Sequence, residues 1–522
     1  MNLDSFFAHF DLLTDAPNAS AKLREIILQL AVRGKLVRQD PNDEPAQVLM
    51  ENIKFKREKL ENESNIKLFT LLKSTLKHNN YQLPQSWEWT QLGYVALIIM
   101  GQSPPSATYN EEGQGVPLIN GPVEFSPEPF SETILGKFTT APSKMCKKGD
   151  LLICVRGATT GRTNIAAFDA CIGRGVAAIR GFTYQPYINY FVLASRQKFL
   201  DLGTGSTFPS ISQDKIQNFP LPLPPLEEQK RIVEKCDRLL LVCDEIEKRQ
   251  QQKHDNIVQM NDSAIAQLLS SQNPEDFRQH WQRIYNNFDL LYSIPETIPK
   301  LRQAILQLAV QGKLINQSSK EFKKVLNTHK VSDYVTVLNG YAFKSTWFIN
   351  DGIRLLRNVN VGHGYLRWDD VARISEERVQ EFQRFKLEVN DIVISLDRPI
   401  ISTGLKVARI TNNDLPCFLL QRVGKFEFKT DEVMPEFFFL WLQSPIFINA
   451  IDPGRSNGVP HISSKSIEAI PFNPPSKEEQ KRIVEKCDAL MSLCDKLESQ
   501  LKQARENSEN LMEIAARQIL TT

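Results

Sequence analysis

Four cysteines stand in two pairs, Cys236 with Cys243 and Cys487 with Cys494, each pair seven residues apart. A thiolate is a soft metal ligand, and a seven-residue spacing repeats one helical face, so all four could line a single seam. No histidine accompanies them and no CxxC occurs in the chain, which favours small packed core residues. A second candidate is Asp201 to Ser206, DLGTGS, the kind of glycine turn that passes beneath S-adenosylmethionine. Such a turn needs a strand before it. Here Tyr190 to Leu200 reads as helix, the third glycine position is Thr207, and the matching stretch Asp452 to Asn457 lacks the second glycine. Asn473-Pro474-Pro475 and Ser103-Pro104-Pro105 begin like a clamp for a flipped base, but the fourth residues, Ser476 and Ser106, have no ring to stack on one. Gly34-Lys35 and Gly312-Lys313 are each followed by leucine, so they make no phosphate loop and instead end helices. No catalytic, cofactor-binding or metal-ligating residue is assigned.

The elements that carry these residues are spelled twice. Glu227 to Asp237, EEQKRIVEKCD, recurs identically at Glu478 to Asp488, 251 positions later, each copy following a Pro-Pro step. LREIILQLAVRGKL at 23–36 returns as LRQAILQLAVQGKL at 301–314, identical at eleven of fourteen positions. The chain is therefore an internal duplication. Two long helices are expected, at 226–271 and 476–520, with seams alternating three and four residues. The first seam is Ile232, Cys236, Leu239, Cys243, Ile246, Ile257, Met260 and Ala264, interrupted at Gln250 and Lys253. The second is Ile483, Cys487, Leu490, Cys494, Leu497, Leu501, Ala504 and Leu511, so the repeat is asymmetric at the helix middle. Ile232, Leu239, Ile246, Ile483, Leu490 and Leu497 are the expected packing residues.

Length and composition bound the rest. A chain of 522 residues is too long for one ordinary domain. With 41% hydrophobic and 24% charged residues it reads as globular, and a net charge of +2 supplies no global basic field. No segment approaches a membrane span, the N-terminus is acidic where an export signal would be basic, and thinly spread cysteines fit a reducing cytoplasm.

Taken in order, 1–86 is a helical segment, with helices expected at 21–36 and 48–76. A mixed α/β domain follows at 87–223, with strands at 150–155, 163–168 and 176–179 and a helix near 186–200. Pro220, Pro222, Pro224 and Pro225 close it, because proline cannot continue a central strand. The first long helix occupies 224–275, a linker and the repeated short helix 276–330, a second mixed domain 331–473, and the second long helix 474–522. Strands are expected in the second domain at 391–396, 405–410 and 423–428. The fold class is α+β: two mixed α/β domains separated by two long helices forming a coiled-coil spacer, with a pseudo-two-fold internal repeat. The helices kept their sequence after duplication while the mixed domains diverged, so the molecule presents two different heads on one frame.

The Pro-Pro step, EEQKRIVEK, the heptad helix, ILQLAVQGKL and the Trp87 to Trp89 opening of a variable domain together resemble the specificity subunit of type I restriction–modification systems. The resemblance spans nearly the whole chain. It implies two target-recognition domains, each reading one half of a bipartite sequence in double-stranded DNA, with the helices setting their spacing. It also implies docking of two modification subunits that methylate adenine at N6, association with restriction/translocase subunits, and no active site in this chain. S-adenosylmethionine, ATP and magnesium would then belong to the partners. Under this reading the cationic and polar loop residues become candidate DNA contacts. In the first domain, where Lys144, Lys147, Lys148 and Arg180 add to the charge, these are Arg156, Thr159, Thr160, Arg162, Arg174, Ser206, Thr207 and Ser210. In the second they are Lys344, Ser345, Arg357, Arg398, Thr403, Lys406, Arg455, Asn457 and His461. The competing readings are a self-contained DNA adenine methyltransferase using the 201–206 loop, and a coiled-coil scaffold with no DNA role.

Overall fold

The computed structural model describes residues 14–64, 68–70, 81–202, 210–315, 329–402, 404–451 and 461–521. Four helices form the frame: α1 (Ala19–Val32), α2 (Leu226–Ser270), α3 (Ile298–Val310) and α4 (Lys477–Thr521). The chain divides into two units, residues 1–251 with 505–522, and residues 252–504. Each 45-residue helix therefore starts in one unit and ends in the other.

Within the first unit, Ile232, Cys236 and Cys243 of α2 share a core with Ile26 and Ile27 of α1 and with Met512, Ala515 and Ile519 from the end of α4. Within the second, Ile483, Cys487 and Cys494 of α4 share a core with Ile305 and Leu308 of α3 and with Leu268 from the end of α2. The four cysteines thus fall into two separate cores. Leu239, Ile246, Leu490 and Leu497 pack against these cores while only partly buried.

The seams depart from expectation beyond the helix middles. Met260 and Leu511 are 46% and 52% exposed, and Ala504 is also exposed. The buried positions there are Ile257, Asn261, Ile265 and Leu268 in α2, and Met512, Ala516 and Ile519 in α4. After Ile257 the buried stripe steps by four, four and three residues, so that Ile246, Ile257 and Leu268 recur at eleven residues, about 3.67 per turn, and the stripe drifts opposite to a heptad and leaves Met260 outside. The same displacement occurs 251 residues later, so the repeat is more symmetric in its packing than the side chains suggest. Gln250 is not a gap: its amide donates to the carbonyls of Thr14 and Ala16.

The short helices tie the frame together through ion pairs that recur. Arg24 of α1 bonds Asp244 (2.6 Å) and Glu247 (2.7 Å) of α2, and Lys22 bonds Glu513 (2.8 Å) of α4. In the second unit Arg302 of α3 bonds Asp495 (2.7 Å) and Glu498 (3.0 Å) of α4, and Lys300 bonds Asp262 of α2. Each of these residues sits at the repeat-equivalent position of its counterpart. Exposed pairs of this kind stabilise weakly, and their contribution is to fix which faces meet. Gly34 and Gly312, at φ +70° and +68°, end the two short helices in the left-handed conformation glycine tolerates.

The shared EEQ tripeptide has a mechanical explanation. Gln229 and Gln480 are fully buried, and each amide donates to the carbonyl five residues back, Pro224 (2.9 Å) and Pro475 (2.8 Å). Gln229 also accepts from Thr183 Oγ1 at 3.0 Å, and Gln480 from the Met434 amide at 2.8 Å. The start of each long helix is thereby pinned to the mixed domain before it.

The mixed domains share a topology that their sequences hide. In the first, β1 (Ala96–Met100), β2 (Leu151–Cys154), β3 (Thr163–Ile165) and β4 (Val176–Gly181) form an antiparallel sheet ordered β1-β4-β2-β3. In the second, β5 (Val335–Asn339), β6 (Ile392–Ser395), β7 (Val407–Arg409) and β8 (Val423–Phe428) repeat it as β5-β8-β6-β7. The second sheets differ, with five strands in one domain and three in the other.

Several expected bounds move. The helix expected to reach residue 76 ends at Ser64, and residues 68–70 are not helical. The single helix at 186–200 is two, Gln185–Ala194 and Arg196–Asp201, broken at Ser195. The strand expected at 405–410 is split at Lys406, between Gly404–Leu405 and Val407–Arg409. Pro220–Leu223 is itself a strand, paired among the described residues only with Glu88–Gln91. Alternating prolines are tolerated there because only every second residue of an antiparallel pair bonds its partner strand.

Candidate nucleic-acid interface

In the first domain the candidates gather where β2 leaves the sheet. The Val155 amide bonds Gly175 O (2.8 Å) and the Ile211 amide bonds Val155 O (3.0 Å), which brings three chain segments to one edge. Arg156 bridges to Ser210, and Arg156 and Arg174 are both exposed beside these bonds. Thr159 and Thr160 make the intervening turn: Thr160 is buried and its hydroxyl donates to Gly157 O at 2.7 Å. Gly157 has φ +86°. Arg162 is committed internally, its guanidinium donating to the carbonyls of Phe125 (3.2 Å) and Ser126 (3.0 Å). Arg180 is likewise spent, forking the buried Asp150 at 2.8 and 2.7 Å. Lys144, Lys147 and Lys148 are exposed. Ser206 and Thr207 lie outside the described residues.

The same edge in the second domain is built by equivalent bonds, Leu396 N to Arg422 O (2.8 Å) and Ile462 N to Leu396 O (3.0 Å). Its chemistry is different. Asp397, 7% exposed, accepts from Asn358 Nδ2 at 3.0 Å and from Arg422 at 3.3 Å, and His461 Nδ1 lies 3.1 Å from its other oxygen. Lys406 is buried beside this group, and desolvation draws its ammonium below the ordinary value, with the charges of Arg367 and Arg398 acting in the same direction against the pull of Asp397. Arg398 is exposed. Arg357 pairs with Asp370 at 2.6 Å. Lys344 and Ser345 stand on another turn, where the Lys344 ammonium and the Arg378 guanidinium lie 5.5 and 4.4 Å from the Trp347 ring centre. Thr403, Arg455 and Asn457 lie outside the described residues.

Asp397, Asn358 and Arg422 did not stand out in the sequence. Aligning the chain on Gly161 and Gly404, the glycines of the two Thr-Gly turns, sets Asp397 opposite Cys154, two residues out of the register in which the backbone bonds make Val155 and Leu396 equivalent. Without the strand order that alignment carries no signal.

The rejected chemistries have structural counterparts. Burial raises the thiols of Cys236 and Cys487 to about 12, so both are protonated at neutral pH. Among the described residues no group of three or more His, Cys, Asp or Glu side chains could hold a metal ion. Helix Arg196–Asp201 leads into the DLGTGS segment, so no strand precedes the glycines. Among the described residues no helix is long and apolar enough to cross a membrane.

Two divergent domains of common topology, each with a cationic edge and mounted on a doubled helical frame, define a duplicated two-headed recognition protein. The family model for the type I restriction modification DNA specificity domain matches twice, at residues 84–254 and 327–506. The chain belongs to the specificity-subunit family of type I restriction–modification systems. It is 36% identical over 94% of its length to the type I restriction enzyme EcoAI specificity subunit of Escherichia coli, covering 92% of that protein. It is 25% identical, with the same coverages, to the EcoEI specificity subunit of Escherichia coli. Among solved structures, the HsdS subunit from Thermoanaerobacter tengcongensis is 34% identical, with 39% of this chain and 51% of that one aligned at a TM-score of 0.30. The alignment thus spans about half of that solved chain.

Proposed function

We propose that this chain is the DNA sequence-recognition subunit of a type I restriction–modification complex, with residues 87–223 reading one half of a bipartite target and residues 331–473 the other. The observation that carries the reading is the contrast between two sheets of one strand order and two loop edges of different chemistry. Common topology presents equivalent edges, and divergent residues on them suit different sequences. The exposed cations Arg156 and Arg174 in one domain, and Arg398, Arg422 and Lys344 in the other, are the groups we assign to DNA. Long-range attraction is not supplied by the near-neutral whole, so phosphate contacts must come from these local groups.

The long helices act as the spacer and as docking surfaces for two modification subunits. Support comes from exposed apolar residues that recur in the repeat: Val242 and Leu493 are 48% and 59% exposed, and Met260 and Leu511 are repeat-equivalent as well. A partner that buries one member of each pair has an equivalent place for a second copy. Restriction subunits join the same assembly, S-adenosylmethionine, ATP and magnesium belong to the partners, and the complex works in the cytoplasm. The test is to assemble the chain with its modification subunit and titrate duplex libraries in the presence of nonspecific competitor. Retention of one bipartite sequence supports the reading. Partner binding without selective DNA retention would leave a scaffold, and tight binding of S-adenosylmethionine by the isolated chain would point to an enzyme.

A further inference from the structure

The two recognition edges differ at matching positions in a way that identifies one reader. Val155 and Leu396 are equivalent, since each accepts from the following domain segment, at Ile211 and Ile462, and each amide bonds the residue that opens the last strand segment, Gly175 or Arg422. The first domain continues with Arg156 and Gly157, the second with Asp397 and Arg398. Gly157 has φ +86°, and Arg398 holds the same left-handed region at φ +47°. Arg422, where the first domain has Gly175, is also left-handed at φ +69°. Non-glycine residues adopt this conformation uncommonly, and they persist where the surroundings over-determine them. In the second domain two arginines have therefore taken the places of two glycines at one edge.

Their roles differ. Arg422 is held by the buried carboxylate of Asp397, whose other oxygen lies 3.1 Å from His461 Nδ1. Arg398 emerges between buried Asp397 and buried Pro399 with an exposed side chain, and among the described residues no hydrogen bond or ion pair engages its guanidinium. Buried backbone neighbours on both sides with an exposed five-donor fork between them suit bidentate pairing with the O6 and N7 acceptors of guanine. We propose that Arg398 is a specificity-determining residue of the second recognition domain and reads one guanine of its half-site in the major groove. The proposal rests on the recognition function assigned above.

The test uses the complex of this chain with its modification subunits. Duplexes carry 7-deazaguanine, which lacks the N7 acceptor, at each guanine in turn of the half-site that persists when residues 87–223 are exchanged. The wild-type complex should lose about 5–150-fold in affinity at one of these positions, the range of a bidentate base contact. Arg398→Gly restores the residue of the equivalent loop, so the fold is retained. It should bind the guanine and 7-deazaguanine duplexes equally and accept other base pairs at that position alone. Arg398→Lys keeps the charge without the fork, and should lose the same discrimination while the salt dependence of binding stays near wild type. The proposal is overturned if Arg398→Gly keeps wild-type discrimination, or if no guanine of that half-site responds to loss of N7. A wild-type complex with no sequence selectivity would instead remove the recognition reading itself.

Discussion

Truncating the two fully buried isoleucines of the long helices should destabilise different halves of the molecule. Ile232 and Ile483 are both 0% exposed, one in each core, at repeat-equivalent positions. Ile→Ala removes three carbons, about 2.4 kcal/mol at about 0.8 kcal/mol per carbon. The cavity term raises this toward the upper part of the roughly 2–5 kcal/mol range seen for such changes. For units of about 250 residues, about 3 kcal/mol corresponds to a fall of roughly 6–12 °C. Leu239 and Leu490 are only partly buried, so their alanine variants should cost about half as much, roughly 1–2 kcal/mol. Hydrogen exchange read by mass spectrometry resolves the location. Ile232→Ala should speed exchange in residues 87–223 and at the end of α4, whereas Ile483→Ala should act on residues 331–473 and the end of α2. The double variant should sum the two within about 0.5 kcal/mol, because the sites share no core. A loss below about 1 kcal/mol for either isoleucine, or exchange gained equally throughout the chain, would refute the division of each helix between two cores.

Gln480→Leu strands the amide of Met434 and the carbonyls of Glu432 and Pro475 in a buried site, and at about 1–3 kcal/mol per unpaired group it should unfold the second unit first in urea. Gln229→Leu, with two bonds recorded at that site, should cost less. Arg24 holds Glu247, and Lys502 together with Arg302 holds Glu498, below the ordinary carboxyl value of 4.5, and Lys22 does the same for Glu513. Their stabilisation is present above that value and is lost as pH falls through the depressed values. Urea midpoints should therefore drop as pH falls below about 4.5, with a shallower drop in the Arg24→Met, Arg302→Met double variant; parallel curves would contradict the pairing. Inserting seven residues after Gln251 and after Ala504 lengthens each helix by about 10.5 Å while turning its face by only about 20°. The gap between methylated half-sites should grow, by at most about three base pairs at 3.4 Å each, with the half-site sequences unchanged.

The duplication, the long helices and the divergence of the domains were legible because repeats and heptads are local patterns. The ends of both long helices fall within one residue of expectation, whereas the first short helix, expected to residue 36, ends at Val32. The seam beyond each helix middle differs because a strict three-four alternation carries Met260 and Leu511 inward, whereas the buried positions advance by consecutive four-residue steps through Ile257, Asn261 and Ile265. Pro220–Leu223 was misassigned because whether a proline-bearing strand has one neighbour or two is set by tertiary structure. At the recognition edges, sequence supplied the cationic residues without their commitments. Arg162 and Arg156 look alike in a string, and only the folded chain turns the first onto backbone carbonyls. Asp397 carried no local signal, since its importance lies in three partners that are 25 to 64 residues away.

The central claim, that one domain reads one half-site, is tested most directly by mapping N6-methyladenine in DNA from cells that carry this subunit and its modification partner, before and after residues 87–223 are exchanged for another recognition domain. The account predicts a bipartite methylated sequence in which one half changes while the other half and the spacing persist. An exchange that alters both halves, or leaves both unchanged, would contradict it.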